Sequence, residues 1–171
     1  IPVSCNVMSL ESLWHKIDFD KPARHTIAGA PVGHDARVLA SLAQAAGARG
    51  LVHVALDDMR AANLKDLLTF FAPNLKVLTL PAWDCLPYDR VSPSGDIVAE
   101  RMATLWVLSN KISGAYIVLT TVAALTQRLP PAETLQQARC TIKKGQTVQR
   151  PALQTFFDIN GYCRTDIVRE A

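Results

Sequence analysis

Short apolar runs alternating with stretches of helical periodicity limit this chain to one family of architectures. GLVHVAL, bounded by Gly50 and Asp57, LKVLTL from Leu75 to Leu80 and AYIVLTT from Ala115 to Thr121 are each apolar for nearly their whole length. A strand that is apolar at consecutive positions is buried on both faces, as in a parallel sheet covered by helices. Between them, Asp35 to Ala46 places Val38, Leu39, Leu42 and Ala45 on one side, and Asp58 to Phe71 does the same with Leu64, Leu67, Leu68 and Phe71. Asp96 to Leu108 repeats the pattern through Ile97, Met102, Leu105 and Leu108. Each helical spacing follows the 3.6-residue period. Together with a β-prone stub in HTIAGAPVG, the expectation is an α/β domain. Its parallel sheet is built from the segments around Thr26, Val52, Val77 and Ile117, with helices on both faces.

Further elements are weaker. Ser9 to Ile17 has helical spacing through Leu10, Leu13, Trp14 and Ile17, and Val122 to Leu129 reads as a short helix closed by Pro130 and Pro131. The character then changes. ARCTIKKGQTVQR (138–150) is expected to form a strand, a Lys-Lys-Gly-Gln turn and a polar strand, and Pro151 to Asn160 an amphipathic helix stopped by Gly161. A boundary near Pro130 divides the chain into a first domain, 1–129, and the incomplete start of a small α+β domain, 130–171.

A chain of 171 residues, 49% hydrophobic and 19% charged, can bury a core without metals or disulfides. The formal charge of +3 comes from scattered basic residues, not from the face or stripe of a dedicated nucleic-acid binder. Cys5, Cys85, Cys140 and Cys163 form no C-x-x-C pair, the four histidines lack ligand spacing, and no metal is expected. No secretory pattern and no membrane-spanning run is present, so a reduced, cytoplasmic protein is expected. A first residue of Ile leads to the expectation that the native start lies elsewhere.

The turn after the first expected strand occupies the place of a phosphate loop. A working loop, G-x-x-x-x-G-K-[ST], cradles phosphates with backbone N–H groups, a lysine and a hydroxyl. Here, at Gly29, Pro31, Gly33, His34 and Asp35, the lysine is replaced by His34. The hydroxyl is replaced by Asp35, whose charge repels phosphate, and Pro31 removes a donor. The turn therefore reads as structural, with no cofactor bound. The alternative reading is a small α/β nucleotide-binding hydrolase that uses the Gly29–Gly33 turn. Cys85 has no neighbouring base to activate it, no catalytic residue is assigned, and Glu100–Arg101 reads as a solvated face or local ion pair.

The longest unusual stretch is LPAWDCLPYDRVSPSGDIVAERMATLWVL, from Leu80 to Leu108. Its residues Pro81, Trp83, Asp84, Leu86, Pro87, Tyr88, Asp89, Ser92, Pro93, Asp96, Arg101, Met102 and Leu105 resemble a motif of the bacterial transcription-repair coupling factors (Mfd). IVLTTVAALTQRLPP and KKGQ…LQTFFDINGYCRTDIVRE agree with that family in order and spacing, so the resemblance covers nearly the whole chain. It implies a UvrB-like module: a degenerate RecA-like three-layer domain, an inserted small domain that recruits UvrA, and then the rest of the first domain. It also implies that ATP hydrolysis and DNA translocation, with the RNA polymerase and DNA contacts, belong to other domains of the parent protein. No UvrA-contacting residue of that family maps onto the residues present here. Trp83, Pro87 and Tyr88 are expected to pack the loop onto the C-terminal edge of the sheet, with Asp84, Asp89, Asp96 and Arg101 as the other motif residues and a structural role for all seven.

Overall fold

The computed structural model describes residues 17–31, 33–86, 88, 90–137, 139–162 and 164–165. Three strands form one parallel sheet: β1 (Leu51–Ala55), β2 (Lys76–Leu80) and β3 (Tyr116–Thr121). The order is β1–β3–β2, so the last strand lies in the centre. That position explains its sequence: all but the first of its six residues are buried, whereas β1 and β2 each have one buried residue.

The helices follow from their capping residues and small faces. α1 (His34–Ala46) presents Ala36, Ala40 and Ala43 to the sheet, side chains small enough for close approach. It ends at Gly47, whose N–H bonds back to the carbonyls of Ala43 and Gln44. α2 (Asp58–Phe71) begins where the Asp57 carboxylate accepts the Arg60 N–H at 2.7 Å, a standard N-cap. Leu64 and Leu68 of α2 join Ala36, Ala40, Ala43, Leu75, Ile117 and Leu119 in one core cluster. Strand register puts Leu51, Ile117 and Val77 side by side on that covered face. α3 (Gly95–Leu108) packs against β2. On the opposite face Val118 is buried, but Val52 and Val54 at the β1 edge remain 59% and 41% exposed.

Gly50, just before β1, is fixed by a close approach. Its φ is 71°, and a Cβ there would lie 2.1 Å from the Tyr116 ring. Only glycine fits both demands.

The chain divides into two compact units, Ile1–Leu129 and Pro130–Ala171. The second contains α5 (Ala132–Gln137) and α6 (Arg150–Ile159), and the first closes with α4 (Val122–Leu125). In α6 the rings of Phe156 and Phe157 meet edge to face, and Tyr162 packs edge to face on Phe157.

The mixed α/β architecture and its parallel sheet agree with the sequence reading; several elements do not. The segment around Thr26 is not a strand, and residues 22–31 run exposed and outside the sheet. β-Propensity without a neighbouring strand does not make a ladder. The two strands expected in 138–150 are also absent among the described residues. That stretch keeps only its turn, where Gln146 N–H donates to the Lys143 carbonyl at 3.0 Å. It is largely exposed and too polar to bury one face of a sheet. The helix expected over Val122–Leu129 stops at Leu125, and α5 carries no strong sequence signal. The helix expected from Ser9 falls on residues outside those described, apart from Ile17, which is not helical.

Candidate functional site

The turn expected in the place of a phosphate loop follows no strand among the described residues, and the polar groups around it bond within the protein. Gly29 and Gly33 have φ of 79° and 89°, so glycine serves the backbone there. A Cβ at either position would meet nothing within 4 Å, so neither glycine makes room for a close contact. The His34 N–H, one of the free donors at the start of α1, bonds to the Pro31 carbonyl at 2.9 Å. One Asp35 carboxylate oxygen accepts the Ala36 N–H at 3.0 Å, and the other pairs with the Arg60 guanidinium from α2. A carboxylate thus sits where a helix N-terminus favours an anion. His53 of β1 lies within the field of this pair. Burial pulls its pKa below the usual histidine value; the Asp35 charge opposes the shift and the Arg60 charge adds to it.

The motif loop leaves β2 through a clamp that its sequence did not disclose. Arg101, one helical turn beyond Ile97 and one before Leu105, is fully buried. Its guanidinium donates to the Pro81 carbonyl and lies 4.2 Å over the Trp83 ring. Nε and Nη2 have no partner among the described residues, and burial pulls the Arg101 pKa down. The reading of Glu100–Arg101 as a solvated face or a local ion pair is therefore corrected for Arg101. Arg101 is a buried cation in an apolar row, and Glu100 accepts from Thr79 Oγ1 and faces Lys65 at 3.6 Å. The i, i+4 row Ile97–Arg101–Leu105 was the signal available for Arg101.

The base of the loop is tied at two further points. Trp83 N–H donates to Gln127 Oε1 at 3.1 Å, and both Asp84 oxygens accept the Ser94 N–H at 3.1 and 3.2 Å. The Ser94 hydrogen bonding holds the Asp84 carboxyl below its ordinary pKa. Trp83 itself is half-buried. Tyr88 does not pack on the sheet as expected. It is fully exposed with φ of 76°, in the left-handed region that tyrosine seldom occupies. Asp96 is exposed in the first turn of α3, where the helix dipole favours a carboxylate. Pro87 and Asp89 lie outside the described residues.

A pocket of about 360 Å³ opens at the C-terminal ends of β2 and β3, walled by Pro81, Trp83, Ile97 and Leu119. Asp58, Lys65, Asp84 and Glu100 also line it. Among the described residues no cluster of three or more His, Cys, Asp or Glu side chains could hold a metal ion. None of the described helices is long and apolar enough to cross a membrane.

A parallel α/β module with a clamped Trp-Asp loop beyond its second strand is the class that fold and site define. No protein-family model matches the chain. It is 38% identical over 120 residues to the transcription-repair-coupling factor of Escherichia coli K12, covering 70% of this chain and 10% of the relative. The Myxococcus xanthus protein of the same name is 35% identical over 83% of the chain, and that of Haemophilus influenzae 29% identical over 88%. The chain belongs to the transcription-repair-coupling factor family, and its matches span 10% to 13% of these relatives' lengths.

Proposed function

We propose that this chain is a non-catalytic module of a transcription-repair coupling factor. In the parent protein, ATP-dependent DNA translocation by other domains releases stalled RNA polymerase, and the UvrB-like module joins that event to nucleotide excision repair by recruiting UvrA. The observation that carries the non-catalytic reading is Asp35 and its Arg60 partner at the start of α1. A phosphate arriving there meets a carboxylate where a nucleotide site needs donors, and His34 in place of the P-loop lysine. This unit binds no cofactor, and the protein works in the cytoplasm. Trp83, Asp84 and Arg101 hold the motif loop in shape.

UvrA is engaged by the completed small domain, through parent residues other than those of 130–171. Titration of UvrA with the 171-residue chain, and with a chain extended through the rest of that domain, tests the assignment. Weak or no binding by the first and clear binding by the second is expected. Sub-micromolar affinity of the 171-residue chain would place the binding surface within these 171 residues and overturn it.

A further inference from the structure

We propose that the pocket at the C-terminal ends of β2 and β3 receives an arginine side chain presented by a protein partner. Open α/β sheets bind ligands beyond the carboxyl ends of their strands, and about 360 Å³ falls in the size range of small-ligand sites. The lining charge selects the ligand's sign. Asp58, Asp84 and Glu100 contribute three negative charges against Lys65 on the lining and Arg101 behind Pro81 and Trp83, a net of −1 (2 − 3). Lys65 is turned toward Glu100 at 3.6 Å, and neither Asp58 nor Asp84 faces a basic side chain among the described residues. Phosphate and carboxylate ligands are repelled by such a lining, and a cation is drawn in.

The apolar part of the wall selects among cations. Trp83, Pro81 and Ile97 suit the methylene stem of a long cationic side chain that keeps its head at the polar rim. Asp58 begins α2 and Asp84 belongs to the loop, so acceptors arrive from separate elements. A planar guanidinium fork matches that arrangement better than a compact ammonium. Trp83 already stacks on one guanidinium, that of Arg101. Leu86 and Tyr88, two and four residues beyond Asp84, are exposed apolar side chains on the same loop, which suits a surface that a protein covers rather than a site for a free amino acid.

The test is a nitrogen-15 NMR titration of the 171-residue chain with N-acetyl-arginine amide and with its neutral isostere N-acetyl-citrulline amide. The backbone amides of Ala61, Ala82 and Trp83 should move, with the arginine ligand binding about fivefold tighter, the order expected of one charge-assisted contact set. The preference should shrink as salt rises. In Asp58→Asn/Asp84→Asn, folded by its own amide spectrum, the two ligands should bind alike. Equal affinity in the unsubstituted chain, shifts confined to other surfaces, or an unchanged preference in the double variant would overturn the proposal. So would movement of the same amides by inorganic phosphate.

Discussion

Replacing Arg101 separates two contributions that oppose each other at one buried position. The guanidinium makes a charge-assisted hydrogen bond to the Pro81 carbonyl and stacks on Trp83. Such a bond is worth about 1.5–3 kcal/mol, and a desolvated stack about 2. Against them stands the desolvation of a cation whose Nε and Nη2 are unpartnered among the described residues. Arg101→Ala loses the contacts and the volume of the stem, and should cost about 3 kcal/mol, the range of large-to-small core substitutions. Arg101→Met keeps the stem and discards the buried charge, and should cost no more than about 1 kcal/mol, since apolar replacements of buried ions are often close to neutral. Arg101→Lys keeps the charge but loses the planar fork and the stack, and should fall between them at about 2 kcal/mol. Urea unfolding at constant m-value measures all three. A double-mutant cycle with Trp83→Ala should return a coupling of about 1 kcal/mol. If Arg101→Lys proves more stable than Arg101→Met, charge rather than shape holds the clamp, and the reasoning fails.

Gly50→Ala should destabilise by at least about 2 kcal/mol, because it combines a positive φ with a Cβ driven into Tyr116; a melting curve near that of the original chain would refute the close approach. Asp35→Ala should cost roughly 1 kcal/mol, since the Arg60 pair is only partly buried; no change in urea midpoint would show that the pair is idle. Acidification should weaken the fold through His53. Its folded pKa is depressed, so the unfolded chain binds the proton first, and stability is full above the ordinary histidine value and falls as pH drops through it. His53→Gln should remove this part of the pH dependence of the melting temperature, and a pH profile identical to the original would contradict it.

What could be read from the sequence, and what could not, divides along physical lines. β3 was legible because a central strand is apolar at successive positions, and α2 because Leu64, Leu67 and Leu68 recur at helical spacing. The segment around Thr26 carries the same local preference but has no neighbouring strand, and pairing is a non-local property. Residues 138–150 suggested strands through a turn signal alone, with no buried face to fix them. At the turn before α1, the absence of a lysine and a hydroxyl after Gly33 was visible in His34 and Asp35. The Arg60 partner was not, because it comes from another helix 25 positions along the chain. Arg101 was misread because a charged residue suggests solvent, although its place in the Ile97–Leu105 row marked it as inward. Tyr88 was misread in the reverse sense, since an aromatic suggests burial and its full exposure follows from the loop's course in three dimensions.

Isothermal calorimetry of the 171-residue chain with ATP and Mg²⁺ tests the central claim most directly. No binding is predicted up to millimolar nucleotide, either for the original chain or for Asp35→Ala, which frees the start of α1 but restores neither the lysine nor the hydroxyl. Micromolar ATP binding that is lost in His34→Ala would contradict the account, and would make the Gly29–Gly33 turn a working nucleotide site.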